Sequence, residues 1–350
     1  MSAESYSFAP RNRTALNPPT AFVAADESRS SWQQELREAV RDPAELVKLL
    51  ELPGDVLEID TAATFPMLVP RAFIARMRKR DPEDPLLRQV LPLAAEQLSI
   101  PGFSGDPVRE QQLARAGCIQ KYPGRLLLVV TGSCPVHCRY CFRREFPYKD
   151  QTASRTNFAP ALEAIRDSAG ISEVILSGGD PLSLSNEKLS RLIARVERIA
   201  SVRTLRLHTR FPIVLPSRVD QGLEATLAAT RLDVVAVVHA NHPAEIDAAV
   251  VQAAKRLKGC SKFLLNQSVL LKGVNDNAET LIGLSERLDS AGILPYYLHA
   301  LDRVSGTAHF EIDKRTAAEL VAAMRQRLPG YLVPKLVCER PGELSKTPIA

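Results

Sequence analysis

From Arg125 onward the chain switches repeatedly between two hydrophobic periods. Short runs rich in leucine and β-branched residues stand at Arg125–Thr131, Glu173–Ser177, Thr204–His208, Val234–His239, Phe263–Leu271 and Pro295–Ala300, and they read as buried strands. Between them, Pro160–Ser168, Glu187–Ile199, Ala244–Leu257 and Ala278–Ser290 carry apolar residues at helical spacing. After the second strand the starts recur roughly thirty residues apart, the length of one βα unit. Such alternation predicts an α/β fold with a parallel sheet. The six units fall short of the number that closes a TIM barrel, so an incomplete (β/α)6 TIM-like barrel with a lateral opening is expected, an open doubly wound sheet being the alternative. Tyr331–Val337 reads as one further strand, at the edge of the sheet or across the opening.

The first third differs. Residues 1–30 are rich in Ser, Ala, Pro and Asn without hydrophobic period, which predicts an extended or loose segment. Helical patterns follow at Ser31–Val40, at Pro43–Leu50 with Asp42 as N-cap and Pro43 in the first helical position, at Pro70–Arg80 and, more briefly, within Pro82–Leu98. Leu52–Pro66 is a turn-rich connector, and Gly105-Asp106-Pro107 opens a polar approach to the first strand. The expected division is a mostly helical N-terminal extension over 1–106 that covers the barrel and shapes its entrance, a partial barrel over 107–330, and a short C-terminal segment over 331–350.

Composition narrows the function. Hydrophobic residues make up 45% and charged residues 24% of the 350, ordinary for a globular protein. The formal charge of +5 is spread along the chain without a basic block, which argues against nucleic-acid binding. No signal-peptide pattern and no apolar run of membrane length is present, and the six cysteines are not spaced as a disulfide scaffold, so a cytoplasmic location is expected.

Three of those cysteines, Cys134, Cys138 and Cys141, fall on the loop that leaves the Arg125–Thr131 strand, at the end of the sheet where α/β proteins put their chemistry. Closed zinc sites and ordinary iron–sulfur sites take one more protein ligand than this loop offers. Three thiolates on a [4Fe–4S] cluster would leave one iron open to a small molecule. Zinc completed by His137 or a distant histidine, and three buried thiols, are the alternatives. The spacing C-x3-C-x2-C with Tyr140 before the last cysteine resembles the radical S-adenosylmethionine (SAM) enzymes. Ser177-Gly178-Gly179-Asp180-Pro181 follows the second strand, where two glycines let backbone approach a ligand closely. It resembles the turn that holds the methionyl amino group of SAM in that superfamily. His208, His239 and His242, at or after the ends of the third and fourth strands, and Gln267 in the fifth gather at the same rim.

A closer resemblance rests on Tyr122–Leu128, Leu176–Asp180, Arg210–Pro216, His239–Pro243, Asn266–Asp276 and Lys346-Thr347-Pro348. In that order, over about residues 107–350, the chain is similar to the lysine 2,3-aminomutase family, radical SAM enzymes that also bind pyridoxal 5′-phosphate (PLP). The resemblance implies a radical SAM barrel whose cluster ligands are Cys134, Cys138 and Cys141, with SAM held by Ser177, Gly178, Gly179, Asp180, His239 and Gln267. It implies Lys346 as the lysine that carries PLP, with Arg125 and Lys121 near the PLP phosphate. It further implies Arg143 against the substrate carboxylate and Asp302 with Glu339 around the substrate's distant ammonium. Glu339 stands where the family commonly has Asp, and Gly342-Glu343-Leu344-Ser345 replaces a glycine run before Lys346.

The chain ends four residues after Lys346, and in this it resembles the short aminomutases that supply (R)-β-lysine for modification of elongation factor P. The expected activity is therefore an isomerase converting free L-lysine, the (S)-α form, to (R)-β-lysine. The implied partners are elongation factor P, its lysyl-ligase and a reducing electron donor such as flavodoxin, with no nucleic acid and no membrane. The alternatives are an aminomutase for glutamate or arginine, or a non-catalytic metal-binding regulator of translation. Two carboxylates at the far end of the pocket favour a cationic substrate.

Overall fold

The computed structural model describes residues 31–53, 57–168 and 170–349. The expectation for residues 1–30 lies outside these. From Ser31 the chain forms one compact unit. Its strands are β1 Ala114–Arg115, β2 Cys118–Ile119, β3 Arg125–Thr131, β4 Glu173–Gly178, β5 Thr204–Thr209, β6 Asp233–Val238, β7 Phe263–Val269, β8 Leu294–His299, β9 Lys335–Cys338 and β10 Thr347–Pro348. They lie side by side in chain order in a single sheet. From β3 to β9 every neighbour is parallel, while β1 and β2 at one end and β10 at the other are antiparallel.

All six strand runs read from the sequence are therefore strands, and β9 adds a seventh parallel member beyond the expected six. Its start differs from the expected one because Gly330–Leu332 forms a 3-10 turn and Pro334, which has no N–H for the ladder, precedes it. Within β3, Leu126, Leu128 and Val130 are buried on the outer face, packed in one cluster with Leu162, Ile165 and Leu189 of the covering helices. Each such side chain contributes roughly 1.5–3 kcal/mol on burial. Arg125, Leu127, Val129 and Thr131 alternate with them; all but Val129, which packs in a separate cluster with Ile119 and Phe146, are less covered.

The sheet curls. Lys121 and Tyr122, just before β3, reach Glu339, just after β9, although five strands separate these two in the sheet order. The contact joins the start of one strand to the end of another, the stagger that tilted barrel strands require. No backbone ladder joins the two ends of the sheet among the described residues.

The N-terminal helices are Trp32–Arg37, capped by Ser31, and Pro43–Leu49, whose N-cap Asp42 accepts from the Ala44 N–H at 2.9 Å. The helix expected over Pro70–Arg80 is limited to Arg71–Ile74. Arg80 takes a left-handed φ of 61° and donates its N–H to the Leu50 carbonyl, while the Arg76 guanidinium is drawn to the carbonyls of Glu245 and Ile213. Within Pro82–Leu98 the helix covers Pro85–Arg88, and Pro92 separates it from a 3-10 turn at Ala94–Gln97. The β1–β2 hairpin had no sequence signal because two-residue strands show no alternation. Its turn puts Ala116 and Gly117 both at positive φ. No described helix is long and apolar enough to cross a membrane.

Candidate active site

The cysteine loop is gripped from behind by the N-terminal extension. Arg139, wholly buried, donates from Nε and Nη2 to both oxygens of Glu96 at 2.8 and 2.6 Å, and Arg144 reaches the same carboxylate at 2.7 Å. Phe65 lies under both guanidinium groups, 4.9 and 4.8 Å from its ring centroid. His137 donates its N–H to the Leu68 carbonyl at 3.0 Å, and its Nδ1 lies 3.0 Å from the Pro66 carbonyl oxygen. One ring nitrogen of His137 is thus spent on the extension. No group of three His, Cys, Asp or Glu side chains among the described residues gathers closely enough for a single ion. Burial pushes the Cys141 thiol up to about 11, with Cys138 adding to the rise, and pushes Cys134 well above its ordinary range, with Cys141 and Asp180 adding to it. Such mutual repulsion is relieved when a cationic centre joins the sulfurs.

The glycine turn after β4 is packed directly on this loop. A Cβ on Gly179 would stand 2.4 Å from the Ser133 carbonyl oxygen, and one on Gly178, whose φ is +107°, would stand 2.8 Å from that of Thr131. Gly179 and Asp180 donate their N–H groups to Thr131 and Ser133 at 2.7 and 2.8 Å. The Asp180 side chain accepts from the Leu182 N–H, the Thr209 hydroxyl and the Arg210 N–H at 3.0, 3.0 and 2.7 Å, and burial raises its carboxyl to about 6. Asp180 therefore braces the turn, and the residues left facing the lumen there are Ser177 and the glycine backbone.

The lumen holds an unbroken chain of alternating charge. Arg143 clamps Glu110 with Nε and Nη2 at 2.6 and 2.9 Å, and its Nη1 donates to the Ser177 hydroxyl and the Gly178 carbonyl at 3.1 and 3.4 Å. Lys121 Nζ bridges Glu110 at 3.0 Å and Glu339 at 3.1 Å. Glu339 also accepts from Lys346 Nζ at 2.7 Å and from the Tyr122 hydroxyl. Burial pushes the Glu339 carboxyl upward, but Lys346 and Lys121 more than offset this and hold it down to about 2. Asp302, in the same recess, has no side-chain ion pair among the described residues, and burial raises it to about 7 against the pull of Lys346. His239 Nε2 lies 3.1 Å from the Gln267 amide nitrogen, and burial keeps the imidazole neutral, down to about 3.

Residues 128–284 match the model of the Radical SAM superfamily. An L-lysine 2,3-aminomutase of Escherichia coli is 44% identical over 92% of this chain and 95% of its own length. The chain belongs to the L-lysine 2,3-aminomutase family. A second member, from Haemophilus influenzae, is 44% identical over 91% of this chain and 95% of its own, and one from Clostridium subterminale is 31% identical over 93% and 79%. The chain is accordingly an isomerase of radical SAM type, and membership brings a [4Fe–4S] cluster and SAM with it.

Of the aminomutase residues expected from sequence, the structure joins Lys121, Glu339 and Lys346 in one set of ion pairs, sets Arg143 on Ser177 and Gly178, and pairs His239 with Gln267. His242 stands apart, since its Nδ1 caps the Ala244 N–H at 3.1 Å. Three nitrogens on this side of the sheet, Arg125 Nε, His208 Nε2 and His299 Nε2, are buried without a partner among the described residues. The sequence did not single out Glu110, Gln89, Glu96 or Glu245, which carry no local motif. Tyr122, Arg210 and Asn241 fell inside the stretches that carry the family resemblance, but nothing in their spacing announced a role.

Proposed function

We propose that the protein converts L-lysine to (R)-β-lysine using the cluster, SAM and PLP, with PLP carried on Lys346. The observation that carries this reading is the alternating chain Arg143–Glu110–Lys121–Glu339–Lys346, which runs from a guanidinium at the cysteine-loop end to Glu339 and the Lys346 ammonium at the other. When bound, the cluster with SAM supplies a radical able to take hydrogen from an unactivated carbon, and PLP supplies a π bond across which nitrogen can migrate. The chain's own residues fix where that happens. Arg143 would receive the substrate carboxylate through Nη1 and the remaining Nη2 hydrogen, because its bonds to Ser177 and Gly178 are longer than those to Glu110 and yield first. Asp302 and Glu339 would receive the distant ammonium, and they disfavour a side-chain carboxylate such as that of glutamate.

The fit for PLP rests on Arg125, whose buried Nε lacks an acceptor that a phosphate oxygen would supply. Its guanidinium carbon lies over the Tyr122 ring, 4.7 Å from the centroid. Lys121, the other basic residue expected at the phosphate, is committed to Glu110 and Glu339 and would act there only by exchanging a partner. The reading extends to the product's destination, elongation factor P through its ligase, with a flavodoxin-like electron donor and a cytoplasmic setting.

The test is an anaerobic assay of the reconstituted protein with SAM, PLP and dithionite, offering lysine, arginine and glutamate in turn and resolving products by chirality. (R)-β-lysine from lysine alone is expected, and preferential turnover of glutamate would overturn the assignment. Transfer of the product to elongation factor P by the ligase tests the second half separately.

A further inference from the structure

Arg210 follows β5 and is buried beneath the cysteine loop, at 6% relative exposure. Its Nη1 donates to the Cys138 sulfur at 2.7 Å and also to the Tyr140 hydroxyl. Its Nη2 donates to Gln89 Oε1 at 2.8 Å and to Glu245 Oε2 at 3.2 Å, and its Nε is buried with no partner. Glu245, itself wholly buried, is the one carboxylate among the described residues that pairs with it, and that carboxylate is already shared. Glu245 Oε1 accepts from the Asn241 and His242 N–H groups and from the Gln89 amide at 2.9, 3.1 and 3.0 Å. The positive charge of Arg210 is thus only partly offset by Glu245, and its other face lies on Cys138.

We propose that Arg210 is the positioning and tuning residue for the cluster, acting through Cys138: it orients that thiolate and sets beside it a buried cation that favours the reduced state. The proposal rests on Cys134, Cys138 and Cys141 being the cluster ligands. Reduction adds one electron and no proton, so the cluster becomes more negative by one charge. Hydrogen bonds to ligand sulfur and net local charge are the protein's levers on that equilibrium. Burial makes the lever long, since little water screens the pair. The same logic gives Glu245 the opposite sign, because removing its charge leaves Arg210 less offset.

The experiment is an anaerobic potentiometric titration of the reconstituted full chain, with dithionite as electron source and the EPR signal of the reduced cluster as readout. Arg210→Gln should move the midpoint to a more negative potential, with several-fold less reduced cluster at a fixed potential near the wild-type midpoint. Arg210→Lys, which keeps the charge, should recover part of the shift, and Glu245→Gln should move the midpoint the other way. An Arg210→Gln protein with four irons per chain and the wild-type midpoint would overturn the proposal, as would shifts of the same sign in Arg210→Gln and Glu245→Gln. If Arg210→Gln fails to take up the cluster, Glu245→Gln decides: a positive shift supports the proposal, and no shift or a negative one overturns it. A wild-type chain with no such EPR signal would instead defeat the cluster assignment on which the proposal rests.

Discussion

The ammonium of Lys346 donates to Oε2 of Glu339 at 2.7 Å, so the residue proposed to carry PLP rests on a carboxylate proposed to read the substrate. Lys121 and Tyr122 hold the same carboxylate, whereas Asp302 has no ion-pair partner among the described residues. Two acids that look equivalent in the sequence are thereby separated into one that is committed and one that is open.

Lys346→Ala should abolish the borohydride-reducible PLP absorbance and product formation while leaving the iron–sulfur spectrum intact, because Lys346 lies at the far end of the charge chain from the cysteine loop. Visible spectra before and after borohydride check this. Persistence of the reducible absorbance would move PLP to another lysine.

Asp302→Asn and Glu339→Gln should each lower lysine kcat/KM by at least about tenfold, since a charge-assisted partner contributes roughly 1.5–3 kcal/mol and 1.4 kcal/mol is one decade. SAM cleavage should continue without lysine rearrangement. Glu339→Gln should in addition weaken PLP loading, because it frees Lys346 and Lys121 as well. Unchanged lysine kinetics in the double variant would show that neither acid reads the side-chain amine.

Asp302 also gives a pH signature. Its carboxyl is raised from 3.8 to about 7, so the folded protein holds a proton that the unfolded chain releases, and its contribution to stability falls as pH rises across that window. Glu339 is lowered from 4.5 to about 2, so its contribution is present above 4.5 and is lost as pH falls toward 2. For binding, an ionised Asp302 is the form that attracts an ammonium. Lysine KM should therefore drop as pH rises through about 7 in wild type and lose that step in Asp302→Asn. A KM profile with the same step in both proteins would assign it elsewhere.

Cys134→Ala, Cys138→Ala or Cys141→Ala should abolish SAM cleavage. Cys118, buried with its sulfur 3.7 Å from the Ala161 carbonyl oxygen, belongs to the core, and Cys118→Ala should keep the cleavage. Anaerobic release of 5′-deoxyadenosine is the measurement, and full release by Cys138→Ala would remove the radical SAM reading of the loop.

Glu96→Ala should destabilise the fold by about 3–5 kcal/mol, because it strands Arg139 and Arg144, both buried, without their shared carboxylate. Urea denaturation of the cluster-free protein reports this directly, and a loss under about 1 kcal/mol would mean that the extension does not hold the cysteine loop.

The sequence by itself determined the order and type of the elements around the barrel, because strand and helix periods are written locally: Leu126, Leu128 and Val130 alternate with residues of the other face, and Asp42 with Pro43 caps and opens the Pro43–Leu49 helix. It determined the cysteine loop for the same reason, since Cys134, Cys138 and Cys141 are neighbours in the chain. Which charges meet was decided only in three dimensions. Arg210 lies 72 positions from Cys138, and Lys121 lies 218 from Glu339, so neither pair leaves a periodic trace. Their meeting depends on strand register and on how far the sheet curls, which are set by the summed packing of every strand on its covering helices and by no single stretch of chain. The shortening of the Pro70–Arg80 helix has the same origin: Arg76 gives up a helical course to reach the carbonyls of Ile213 and Glu245, partners that local propensity cannot foresee.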